Sequence, residues 1–123
     1  ADGTPDYDPH AWSANALLAS GAADALVWVT SFRDVSPPST TVPAVVLARP
    51  GIRLDPAPAV LIPVGTPGLD HAGSVYRTDS VVALPLRRLR DSGLPTVAGV
   101  LDAIRARLVA GGGRAYPRAA DPG

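Results

Sequence analysis

The sequence predicts an α/β fold: a Rossmann-like, mostly parallel sheet of three to four strands with two flanking helices. Three observations lead there. Residues 25–30 (ALVWVT), 44–47 (AVVL) and 59–64 (AVLIPV) are continuous apolar, β-branched runs of strand length, the pattern of strands buried on both faces. Residues 97–108 place Val97, Leu101, Ile104 and Leu108 at helical spacing. The segments between these runs are rich in Pro and Gly, which punctuate elements.

At 123 residues, with 46% hydrophobic and 18% charged residues, the chain has room for one modest core. Eleven basic and eleven acidic residues cancel, and no segment concentrates positive charge, so neither nucleic acid nor a membrane surface is an expected partner. No run reaches eighteen apolar residues, and the first twenty positions lack the layout of a signal peptide, so a cytoplasmic protein is expected. The absence of cysteine excludes disulfides, thiolate zinc sites, iron–sulfur ligation and a cysteine nucleophile within these residues. All basic residues are arginine and all acidic ones aspartate, a bias fitting GC-rich coding, so arginine choices carry little functional information. Methionine is absent even at position 1, and the expectation is a segment of a longer polypeptide.

Taken in order, residues 7–23 predict a helix opened by Asp8-Pro9, with an acceptor side chain at the N-cap and proline at the first helical position; Ser20-Gly21 stops it. Ala14, Leu17 and Leu18 form its narrow apolar face. The first strand follows. The connection over residues 31–43 contains Pro37-Pro38 and cannot carry a full helix, although its length just suffices for a parallel crossover. Residues 50–58, with three prolines and a glycine, form a second loop.

After the third strand, residues 66–80 turn polar and glycine-bearing, at the carboxyl end of a central strand where open α/β sheets place ligands. A short strand over residues 81–84 then leads to Arg87, Arg88, Leu89 and Arg90. In the last helix Thr96 caps the start and Gly111 ends the run. The α/β domain therefore covers residues 1–110, and residues 111–123 form a Gly/Pro/Ala-rich tail, extended or poorly ordered.

Several clusters invite chemistry. Asp70, His71 and Ser74 supply the residue types of a hydrolytic triad, but no G-x-S-x-G elbow accompanies them, and a loop fixed by local hydrogen bonds is the preferred account. His10 and His71 lie too far apart in sequence for a ligand-spacing argument. Gly65, Gly68 and Gly73 match neither dinucleotide nor P-loop spacing, which favours turn geometry. The arginine cluster over residues 87–90 could grip an anion or an acidic surface, with an ordinary solvated strand end as the alternative. Trp28, inside a strand run, is expected in the core.

Three segments in order carry a resemblance: residues 23–32 (ADALVWVTSF), 60–64 (VLIPV) and 68–81 (GLDHAGSVYRTDSV). Over residues 24–109 the chain resembles the C-terminal part of the formylmethanofuran dehydrogenase B-subunit family, a branch of the molybdopterin oxidoreductase superfamily. That family carries a loop of the type G-[IL]-[DE]-x-x-G-[TS]-x-[YF]-R-x-D, matched here by Gly68, Asp70, Gly73, Ser74, Tyr76, Arg77 and Asp79.

The resemblance implies one of two chemistries. In the redox branch, the B subunit binds a bis-molybdopterin cofactor with tungsten or molybdenum and reduces carbon dioxide to formate for delivery to methanofuran. In methylotrophic bacteria, the similar subunit is a non-redox part of a formyltransferase/hydrolase complex that converts formyl-methanopterin through a formyl-methanofuran to formate in one-carbon metabolism. The wording Asp70-His71-Ala72-Gly73, and Ser31-Phe32 followed by Pro37-Pro38, sides with the bacterial branch. The resemblance then implies an assembly role, with catalysis in partner subunits, no catalytic residue in this chain and no metal in this segment. Molybdopterin enters only under the alternative, a C-terminal fragment of a molybdenum- or tungsten-dependent dehydrogenase subunit whose metal-ligating cysteine lies upstream. Asp70, Gly73, Tyr76, Arg77 and Asp79 are the implied cofactor-facing or interface loop; an Arg77–Asp79 or Arg77–Asp70 contact that only stiffens the loop is the alternative.

Overall fold

The computed structural model describes residues 8–77, 79 and 82–112. Its elements run α1 (Ala14–Ala19), β1 (Leu26–Thr30), β2 (Ala44–Ala48), β3 (Val60–Pro63), β4 (Gly73–Tyr76), β5 (Ala83–Leu86) and α2 (Val97–Ala110). The three apolar runs form one parallel sheet in the order β1-β2-β3, and β4 and β5 form a separate antiparallel hairpin. The mixed α/β architecture with a three-stranded parallel sheet is the one expected.

The register places Trp28 beside Val46 and Val46 beside Leu61, with Val29, Leu47 and Ile62 aligned on the opposite face. Central position decides burial. Ala44, Val46, Leu47 and Ala48 of β2 are buried, whereas Val27 and Val29 of β1 and Val60 and Leu61 of β3 remain exposed. On one face, Val46 and Ala48 pack with Ile52 from the following loop, and Trp28 and Leu54 close over them. Trp28 thus joins the core, and its indole Nε1–H donates to the Val35 carbonyl at 2.9 Å. Each fully buried side chain of Val or Leu size contributes about 1.5–3 kcal/mol.

The first helix is shorter than expected. Asp8 accepts at Oδ1 from the N–H groups of His10 and Ala11, and its carbonyl accepts from Trp12, which makes a turn and not a first helical turn. Ser13 then caps α1 by accepting from Ala16 N–H at 3.1 Å. At the other end, Gly21 at φ 71° donates to the Leu18 carbonyl and Ala22 to the Leu17 carbonyl, the closing pair of a glycine-stopped helix. The stop expected at Ser20-Gly21 therefore holds, and the start moves from Asp8 to Ser13; Tyr7 lies outside the described residues.

The second correction concerns residues 66–86. Gly73–Tyr76, expected within a polar loop, is a strand, and its partner is Ala83–Leu86 in place of residues 81–84. Ser-Val-Tyr is good strand material once a partner is available, and pairing Tyr76 with Ala83 fixes the frame. Pro85 is tolerated because a two-stranded hairpin has only edge strands. Val81 lies outside the described residues.

The last helix matches its expected ends. Thr96 Oγ1 accepts from Gly99 N–H at 3.0 Å, and the Gly111 N–H donates to the Arg107 carbonyl. Its apolar residues are less covered than the pattern suggests: no residue of α1 or α2 is fully buried, and Leu108 is 62% exposed. The tail beyond residue 112 lies outside the described residues.

Candidate functional site

At the carboxyl end of β3 the chain turns sharply. The Thr66 carbonyl accepts from Leu69 and Asp70, and the Asp70 carboxylate returns to accept from Thr66 N–H at 2.9 Å. The turn needs a glycine before it, because a Cβ on Gly65 would sit 2.9 Å from that of Asp70. Thr66 Oγ1 donates to the Ser31 carbonyl at 2.8 Å, tying the turn to the end of β1.

Asp70 is the buried charge of this region, its side chain only 1% exposed. Its second oxygen accepts from Arg90 Nε at 2.6 Å, while the guanidinium itself lies more than half in solvent. The Arg90 hydrogen bond, followed by that from the Thr66 N–H, holds the Asp70 carboxyl well below the usual carboxylate range; burial opposes this and loses. Beside the ion pair, the Leu69 carbonyl accepts from both Leu89 and Arg90 N–H groups, and Gly65 N–H donates to the Pro95 carbonyl. The segment before α2 is thereby fastened to the loop after β3.

His71 follows with its ring nitrogens 2.9 Å from the Ala72 carbonyl and 3.2 Å from the Gly65 carbonyl. Asp70 is thus paired with Arg90 and His71 faces backbone, so Asp70, His71 and Ser74 do not assemble the hydrogen-bond chain of a triad. Among the described residues, no three His, Cys, Asp or Glu side chains come together in a way that could hold a metal ion.

The hairpin leaves this base. Gly73 begins β4 where a Cβ would approach that of Pro67 at 3.1 Å, and Gly68, at φ 79°, lies under Leu86 of β5 with a Cβ-to-Leu86 approach of 3.1 Å. Glycine is therefore required at the joint by close packing and, at Gly68, by backbone conformation as well. At the far end, Tyr76 is 73% exposed, and Arg77 Nη2 donates to Asp79 Oδ2 at 2.6 Å.

The five residues singled out from the sequence thus divide. Asp70 and Gly73 build the base; Tyr76, Arg77 and Asp79 occupy the tip, one short strand of roughly 10 Å away. Of the two contacts considered for Arg77, the one to Asp79 forms. Arg90, which sequence reasoning treated only as one member of a basic cluster, is the residue that holds Asp70. Twenty positions separate the pair, and no periodic signal links them. Nor was the Asp34–Arg49 ion pair, which joins the loop after β1 to the end of β2, anticipated.

Chemically, the base offers neither a free carboxylate nor an imidazole poised over a nucleophile. It is a rigid mount, and the tip presents an aromatic ring and an ion pair to solvent.

The architecture resembles a chain of the formyltransferase/hydrolase complex (FhcABCD) from Methylorubrum extorquens. That crystal structure, determined in complex with methylofuran, superposes with a TM-score of 0.71 at 27% sequence identity. The match covers 89% of this chain and 31% of that one, so the chain spans about a third of the length of that neighbour. No family model matches the chain. Nor does any curated protein. No helix among the described residues is long and apolar enough to cross a membrane.

Proposed function

We propose that the chain is the C-terminal α/β portion of a non-redox, B-type subunit of a formyltransferase/hydrolase complex, acting in assembly and not in bond-making. The observation that carries this reading is the structural match to a chain of such a complex, at 27% identity over nearly the whole of this sequence. The loop chemistry supports it. Asp70 is committed to Arg90, whereas Tyr76, Arg77 and Asp79 stand at the end of an arm. In this reading the tip is the contact with neighbouring subunits, Tyr76 supplying an aromatic anchor of the kind that dominates interfaces. Formyl transfer and hydrolysis then belong to the partners.

The test is coexpression of the complete gene product with the transferase and hydrolase subunits of its own genome. Co-elution as one complex on size exclusion is expected, with formate release that survives Arg77→Ala in whatever complex still assembles. Separate elution of the unaltered proteins sinks the reading, as does a fully assembled Arg77→Ala complex that has lost turnover.

A further inference from the structure

The two outer edges of the parallel sheet are chemically unlike. Leu26 N–H donates to the Pro43 carbonyl, at the end of the loop leading into β2, and Val64 N–H to the Ala48 carbonyl of β2. The alternation of a parallel ladder therefore aims residues 26, 28 and 30 at β2 from one side and residues 60, 62 and 64 from the other. Residues 61, 63 and 65 face outward from β3. Position 63 is proline, with no N–H to offer, and the Gly65 N–H is taken by Pro95. That edge is blunted in the manner of a true sheet edge.

The outer edge of β1 carries no such device. Val27 and Val29 point their N–H and C=O groups away from β2, and among the described residues these groups find no backbone partner. The strand reads Leu-Val-Trp-Val-Thr, with neither charge nor proline, and Val27 and Val29 are 52% and 44% exposed. At its C-terminal end a hollow of about 380 Å³ is lined by Trp28, Val29, Phe32 and Val35 among others. Purely parallel sheets are normally covered on both faces, and apolar, uncharged strands of this kind occupy their interior.

We infer that β1 is an interior strand, and that its outer edge receives a fourth, apolar, parallel strand from further polypeptide of the same subunit. The open edge stands on hydrogen-bond direction alone. The donor's identity rests on the function proposed above: the matched FhcABCD chain has over two thirds of its length outside the alignment, ample to supply the strand.

Amide hydrogen exchange in the complete gene product, without other subunits and at a dilution where sedimentation shows one copy, reads this edge directly. Val27 and Val29 are expected to exchange within about tenfold of Trp28 and Thr30, whose N–H groups already face β2. Exchange at Val27 and Val29 a hundredfold or more faster overturns the inference. Protection that emerges only where sedimentation shows dimers also overturns it, since the donor is then a second copy; so does a gene product consisting of these 123 residues alone.

A matched pair of proline variants gives an independent reading. Both Val29→Pro and Leu61→Pro delete an outward N–H and spare the bonds to β2. Val29→Pro should lower the folded-to-unfolded ratio at least tenfold more than Leu61→Pro, and equal effects contradict the inference. Protected amides in a product that fails to co-elute with transferase and hydrolase subunits leave this inference standing and the complex reading fallen. Free exchange in a product that co-elutes does the reverse.

Discussion

At Asp70 one carboxylate oxygen receives Arg90 and the other receives the Thr66 N–H, with the Ser92 side chain adding a lesser hydrogen bond, so the charged form is held by donors that the unfolded chain does not keep in place. The sign of the pH dependence follows. With its folded pKa depressed, Asp70 contributes stability that is present above the unfolded value of about 3.9 and is lost as pH falls through the folded value. Urea unfolding of the wild type and Asp70→Asn is expected to differ most near neutrality and to converge as pH drops below about 4; a constant difference down to pH 2 would contradict this. Gly68 makes a second residue-scale case. Its φ of 79° and the close Leu86 contact both penalise a Cβ, so Gly68→Ala should cost about 1–2 kcal/mol or more in denaturant unfolding. An unchanged midpoint would mean that the hairpin joint can shift. Neither feature was visible as such in the sequence. Gly68 stood out only as a loop glycine and Asp70 only as a motif position, because close approach and the Arg90 partnership are created by folding.

The elements were more legible where a single local signal fixes them. Three uninterrupted apolar runs became three parallel strands, and a Thr cap with a Gly stop bounded α2 at both ends. The hairpin was missed because strand pairing is not local: Ser74, Val75 and Tyr76 become a strand only opposite residues 83–85, several positions further along the chain. In the first helix, Asp8 and Ser13 are both good caps and each accepts from an N–H three residues on, but Asp8 closes only a single turn, and the helix runs from Ser13. Two tests belong to this scale. Thr96→Ala removes the acceptor for Gly99 N–H and should cost α2 about 1 kcal/mol. Since α2 buries no residue fully, the loss should emerge as faster amide exchange across residues 97–101, with only a small change in the sheet; an equally large loss in the sheet would show tight coupling between them. In the hairpin, Tyr76→Ala is expected to weaken subunit association about tenfold or more in a binding titration while leaving the unfolding midpoint of the free chain unchanged, since the ring is mostly in solvent. A shifted midpoint with unaltered association would reverse the assignment of the ring from interface to fold.

For the whole molecule, the decisive quantity is how little of the apolar surface the described chain covers. Its fully enclosed large side chains are Leu47, Val46 and Val64, all from the middle of the sheet or the residue closing it, while Val27, Val29, Val60 and Leu61 on the flanking strands stay exposed. A sheet of three parallel strands has two faces to bury, and neither helix places a single fully buried residue. Exposed valines are unremarkable one at a time, but Val27, Val29 and Val60 share one face of the sheet on the two strands that flank β2, and together they amount to a surface that water disfavours and another polypeptide can cover. The 123-residue chain taken alone is therefore expected to bind a hydrophobic dye such as ANS and to self-associate with rising concentration in sedimentation, with dye binding suppressed once the remaining subunit or complex is supplied. Replacing Val27 and Val60 together by threonine keeps the β-branched shape and lowers the apolarity of one face, so it should reduce both dye binding and self-association of the isolated chain. If the wild-type chain is instead a compact, dye-silent monomer at all concentrations, then the helices or the residues outside the described set already cover the sheet, and the case for an additional polypeptide beside it fails.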